Sequence, residues 1–126
     1  MRGRSMILVD TSVWISHLRD SNSYFKELLN KGIVLCHPFI IGELACGNII
    51  NRNEILSLLK SLPMASIVEH DEVLKFIEDR KLARKGLGYV DVHLLASAIL
   101  SDSVIWSLDR KLSEIAMDLN ILFNPK

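Results

Sequence analysis

Met6-Ile7-Leu8-Val9-Asp10-Thr11-Ser12 is the stretch on which the fold turns. Four apolar residues without alternation are too few for a helix and match a short strand buried on both faces. Asp10-Thr11-Ser12 then supplies a tight connection, and Val13–Leu18 is expected to be helical, with Thr11 or Ser12 as its cap. The pattern recurs along the chain. Ile33-Val34-Leu35-Cys36 is a second apolar run, followed by a helix from Pro38 to about Asn48, proline being at home in a first helical turn. Ser66-Ile67-Val68, Val104-Ile105-Trp106 and Ile121-Leu122-Phe123 read as further strands. Helices are expected over Ser23–Asn30, stopped by Gly32, and over Glu54–Ser61, ended by Pro63. Another opens at Asp71, with Val73, Leu74, Phe76, Ile77 and Leu82 roughly on one face, and others cover Tyr89–Leu100 and Asp109–Asp118. Short apolar strands alternating with helices predict an α/β fold: three-layer α/β/α, with a central, mainly parallel sheet of four to five short strands, as a single domain over residues 1–126.

With 49% hydrophobic residues in 126, the chain has the makings of one real core and is not disordered. Lysine plus arginine balances aspartate plus glutamate, 15 against 15, so net charge neither proposes nor excludes nucleic acid. Cys36 and Cys46 form no disulfide framework and no CxxC pair; they are expected as two buried thiols in a reducing cytoplasm. No apolar run approaches the length of a membrane span, and the run before Asp10 is too short for a signal peptide.

Asp10 and Asp109 each follow a short strand and lead into a helix. Strands of a parallel sheet end on the same side, and ligands bind in the crevice beyond those carboxyl ends, so the two acids are expected as neighbours. Glu43 lies on its helix among Phe39, Ile40, Cys46 and Gly47, with no basic residue on that stripe. Such a placement is costly unless something compensates the charge. Asp91 opens the Tyr89–Leu100 helix, just after Gly86-Leu87-Gly88. Each acid also has an ordinary explanation: turn former for Asp10, helix cap for Asp109, first-turn acid for Asp91, salt bridge for Glu43. Together they carry more. Carboxylates crowded without partners would hold protons at neutral pH, and a divalent cation removes that conflict. All-oxygen ligands suit Mg²⁺, or Mn²⁺ in its place, better than zinc. Asp10, Asp91 and Asp109 are the expected metal ligands, and Glu43 either ligates or orients the attacking water. The hydroxyls of Thr11, Ser12 and Ser107 stand beside these acids as hydrogen-bond donors to them.

Arg80, Lys81, Arg84 and Lys85 form the clearest basic group, to which Arg110 and Lys111 add. They are either a solvated helix end or contacts to a nucleic-acid backbone beside the acidic cleft. His17, His37, His70 and His93 show no metal-ligand spacing, and Trp14 and Trp106 are expected in the core.

These residues carry a family likeness. Ile7-Leu8-Val9-Asp10-Thr11-Ser12-Val13-Trp14-Ile15 resembles the first strand and first acid of the PIN-domain nucleases, in particular the toxin half of VapBC-type toxin–antitoxin pairs. Ile41-Gly42-Glu43-Leu44 resembles the family's helix-borne glutamate. The segments from Gly86 to Ala96 and from Trp106 to Leu112 resemble those bearing the third and fourth acids, and Ser107 stands where relatives often have threonine. The resemblance, from Met6 to about Phe123, implies a Mg²⁺- or Mn²⁺-dependent endoribonuclease that hydrolyses RNA with a metal-activated water. It also implies a homodimer inhibited by a small cognate antitoxin protein. The alternatives are a non-catalytic nucleic-acid- or protein-binding module with an acidic cleft, and a DNA nuclease or phosphatase on the same site.

Overall fold

The computed structural model describes residues 6–125; the stretch 1–5, which precedes the apolar run read above as too short for a signal peptide, lies outside them. Three strands form a parallel sheet: β1 (Ile7–Val9), β2 (Val34–Leu35) and β3 (Val104–Trp106), in the order β2-β1-β3. Ile7 aligns with Val34 on one side and Val104 on the other. All of β1 is buried, as an apolar strand between two helical layers must be.

The sheet is smaller than the four to five strands expected. Its two outer segments each touch it at one residue, Met64 beside Cys36 and Leu122 beside Ile105. On the first edge the Cys36 N–H donates to the Pro63 carbonyl and the Ala65 N–H to the Cys36 carbonyl, both at 2.8 Å. The chain then leaves the sheet: the Ser66 N–H turns to Ser101 Oγ, and Ile67 is exposed. The strand read at Ser66–Val68 is therefore coil, and the bridge lies two residues earlier, at Met64. Ile121–Phe123 makes a single bridge of the same kind, with Ile105 N–H donating to Ile121 and Phe123 N–H to Ile105.

Among the described residues seven helices complete the α/β/α arrangement: α1 (Thr11–Asp20), α2 (Ser23–Asn30), α3 (Pro38–Cys46), α4 (Arg52–Ser61), α5 (His70–Asp79), α6 (Tyr89–Leu100) and α7 (Arg110–Asp118). α6 is buried continuously from Val92 to Ala98, which is why its sequence is apolar on every side. Phe25, Trp14 and Trp106 stack edge to face in the core. Burial pushes the Cys36 thiol up to about 11, but Cys46, expected to be buried, is exposed near the end of α3.

Four helices end in one way. Gly32, Lys81, Asp102 and Asn120 take positive φ, and in each case the next N–H reaches back to a carbonyl of the last turn. Together with the bond from the positive-φ residue's own N–H, this closes two orphan carbonyls, and glycine suits the position best because it has no Cβ. Only α2 uses glycine there. Ending α5 this way, at Asp79, leaves Leu82 outside the helix on which the sequence placed it, yet buried as the apolar residue after the cap; Leu74 faces solvent.

Candidate active site

Asp10 ends β1, with its N–H on the Trp106 carbonyl at 2.9 Å. α1 begins at the next residue, and Asp10 is its N-cap by position, but its carboxylate makes no capping bond. The side chain is 6% exposed. Oδ2 instead accepts the hydroxyls of Ser12 and Ser107, both at 2.8 Å. A buried carboxylate is costly without such donors. Both serines are oriented in turn, because Ser12 Oγ accepts the Leu108 N–H and Ser107 Oγ accepts the Asp109 N–H, each at 2.9 Å. Ser113, which sequence reasoning passed over, donates to the Ser107 carbonyl at 3.1 Å. Only the return of α7 onto the β3–α7 turn brings it there, so no local signal marks it.

Asp109 keeps its ordinary role as well. It caps α7 by accepting the Leu112 N–H on Oδ1 at 3.0 Å. Asp91 likewise accepts the Gly88 N–H on Oδ2 at 3.1 Å. In each case this bond occupies one carboxylate oxygen and leaves the other for a further partner. Glu43 is exposed rather than buried on its stripe, and its Oε1 accepts the Thr11 hydroxyl at 2.7 Å.

The contacts chain together. Glu43 is tied to Thr11, next to Asp10, and Asp10 is tied through Ser107 to the backbone of Asp109. Asp91 joins electrostatically: burial raises its carboxyl above the usual carboxylate range, and the charges of Asp10, Asp109 and Glu43 push it the same way against the lowering Gly88 N–H. Among the described residues none of the four acids forms an ion pair with lysine, arginine or histidine. Nor do three His, Cys, Asp or Glu side chains close on one point tightly enough to enclose an ion. The acids are an open group. The donor set fits a hard cation that keeps several waters, Mg²⁺ above all, because such ions take one or two carboxylates rather than a full protein cage.

The basic residues divide. Arg80 lies over the Phe76 ring, 5.8 Å from its centroid, in a recess shared with Ile99 and Leu100. That is the far end of α6 from Asp91, about 13 Å along the helix. Lys81, Arg84 and Lys85 are exposed on the connection to α6. Arg110 pairs with Glu114 at 3.3 Å on the surface. Lys111 and Arg110 line one recess with Gly86, Asp109 and Glu114. The histidines stay out of the acidic group. His37 caps α3 by accepting the Phe39 N–H and contacts Ser97 through Nε2, and burial first, His93 second, lowers it to about 4. His93 is buried and meets the Tyr89 hydroxyl.

The PIN domain family model matches residues 7–117. Ribonuclease VapC32 of Mycobacterium tuberculosis, from strains CDC 1551 / Oshkosh and ATCC 25618 / H37Rv, is 46% identical over 108 residues, covering 85% of this chain and 87% of that protein. The crystal structure of PAE2754 from Pyrobaculum aerophilum superposes with a TM-score of 0.58 over 87% of this chain and 78% of that one, at 20% identity, and so speaks for the fold alone. A match that runs from the first residue of β1 into the last turn of α7, with a relative sharing nearly half the aligned residues, leaves one assignment: the chain belongs to the PIN-domain family.

Proposed function

We propose that the chain is a Mg²⁺-dependent endoribonuclease, Mn²⁺ serving as a substitute, and the toxin component of a type II toxin–antitoxin system. On this reading it is a single cytoplasmic domain that pairs with a second copy and is held inactive by a small antitoxin protein. The observation that carries the catalytic part is the linkage of the acids: Glu43 accepts the Thr11 hydroxyl beside Asp10, Asp10 accepts the Ser107 hydroxyl, and Ser107 Oγ takes the Asp109 N–H, while burial first and the charges of the other three acids after it raise the carboxyl of Asp91. The similarity to a protein named a ribonuclease supports RNA as substrate. That no helix among the described residues is long and apolar enough to cross a membrane agrees with it.

In this reading Asp10, Asp91 and Asp109 hold the metal. When bound, the ion offsets charge on the phosphoryl oxygens and lowers the pKa of water. Asp10 is pre-oriented, since two hydroxyls fix its Oδ2 and β1 fixes its backbone. Asp91 and Asp109 are steadied by the helix starts they cap. Glu43, fixed by Thr11 through Oε1, has Oε2 left to accept a hydrogen of the attacking water and orient it toward the phosphate. Arg84, Lys85, Arg110 and Lys111 would meet the RNA backbone at the rim, with Lys81 further along the loop; Arg80, against Phe76, would take part only through a strand long enough to pass α6.

The test is cleavage of matched single-stranded RNA and DNA, and release of phosphate from a monoester, with Mg²⁺, with Mn²⁺ and with chelator. RNA cleaved internally only when metal is present is the expected result. Cleavage that survives chelation, or DNA or monoester hydrolysis in preference, overturns it. Co-purification of a short partner with the protein, and its inhibition of cleavage, tests the toxin–antitoxin part.

A further inference from the structure

We infer that Lys111 is the residue that grips a backbone phosphate of the bound strand beside Asp109, and that Gly86 is a glycine in order to hold that lysine in place. A Cβ built on Gly86 would stand 2.7 Å from Lys111 Cδ, 2.8 Å from Nζ and 3.1 Å from Cε. The end of the exposed lysine therefore lies over the bare α-carbon of the loop, in space a side chain at residue 86 would take. Gly86 also has φ +81°, so glycine serves the backbone and the neighbour at once.

The position is specific. Gly86, Lys111 and Asp109 line one recess, and Asp109 is among the charges that act on Asp91. The adjacent Arg110 shares its charge with Glu114 in an exposed surface pair, whereas Lys111 has no carboxylate partner among the described residues. A strand approaching four carboxylates is repelled through every phosphate, and one ammonium held at their edge offsets that where it is strongest. Replacing Gly86 displaces the ammonium without touching its charge.

This rests on the ribonuclease reading, and the experiment separates the two. The efficiency kcat/KM on a short RNA is followed against monovalent salt at fixed Mg²⁺ for wild type, Lys111→Met, Lys111→Arg, Gly86→Ala and the double variant Gly86→Ala/Lys111→Met. Removing one phosphate contact lowers the log–log salt slope by about 0.7, so that raising salt from about 50 to about 200 mM costs Lys111→Met about 2.6-fold less activity than wild type. Lys111→Arg restores the slope. Gly86→Ala lowers it when Lys111 is present and adds nothing when residue 111 is already methionine. A packing role for Lys111 changes activity but not the slope, so an unchanged slope in Lys111→Met overturns the inference while RNA cleavage by the wild type still stands. If Gly86→Ala does not fold, the methionine and arginine variants decide. A wild type that does not cleave RNA removes the ribonuclease reading and this inference with it.

Discussion

Replacing Asp10 by asparagine separates the charge of this residue from its shape. The carboxylate accepts two hydroxyls on one oxygen, at 2.8 Å each. Asparagine keeps a carbonyl oxygen for both, so no donor is orphaned, but the bonds lose their ionic character. Bonds to a charged group are worth about 1.5–3 kcal/mol against about 1 for neutral ones, so the two together weaken by roughly 2 kcal/mol. Against this, one of the like charges that raise Asp91 disappears, which offsets part of that loss. The net loss should stay below about 2 kcal/mol, or about 8 °C in Tm for a domain of this size. Activity should fall by about 10³-fold, since a charge that acts on the reacting phosphate is lost. Asp10→Ala differs: both serine hydroxyls lose their acceptor in a buried place, at about 2–3 kcal/mol further cost. Calorimetric melting in chelator and RNA cleavage in Mg²⁺ are the assays. Asparagine melting as low as alanine, or cleaving as wild type does, would refute the reasoning.

Asp91→Asn keeps an acceptor for the Gly88 N–H while removing a carboxylate whose charged form the fold disfavours. A raised folded pKa means stability falls as pH rises from the unfolded value of 3.8 through the folded one, so this variant should melt above wild type at neutral pH in chelator; an equal or lower Tm counts against the electrostatic account. His37 has the opposite sign of dependence: with the folded pKa lowered from 6.5 to about 4, the unfolded chain takes up the proton first, and stability is lost as pH falls across that window, by roughly 3 kcal/mol in total. His37→Asn retains a capping acceptor for the Phe39 N–H and should flatten the stability profile between these pH values, read by urea midpoints. Lys81→Gly relieves a positive φ at the end of α5 and should stabilise by about 1 kcal/mol, and an unchanged denaturation midpoint would show that the cap carries no strain.

Much of the molecule was legible in the chain because it is encoded locally. A run such as Ile7–Val9 can only be buried on both faces, Gly32 stops α2 as expected, and Tyr89–Leu100 came out with its observed ends. The acids were visible for the same reason, since each stands at a strand end or helix start whose type the neighbouring residues dictate. Their order along the chain also carried the family likeness. What the chain could not reveal is whatever depends on a distant partner. Ser66–Val68 has strand composition, but whether it pairs is decided by Cys36 and by Ser101, which takes its first N–H. Cys46 and Glu43 both sit among apolar neighbours, yet both are exposed, because the packing of α3 against α1 and α4 sets which of its faces is covered. Ser12 and Ser107 were expected beside the acids, but that both donate to Asp10 depends on β3 pairing directly with β1, and Arg80 looked like one of a basic group until Phe76 drew it to the other end of α6. Local propensity fixes what an element is; the long-range contacts of the folded chain decide which of its side chains meet, and a site made from four separate stretches exists only at that second level.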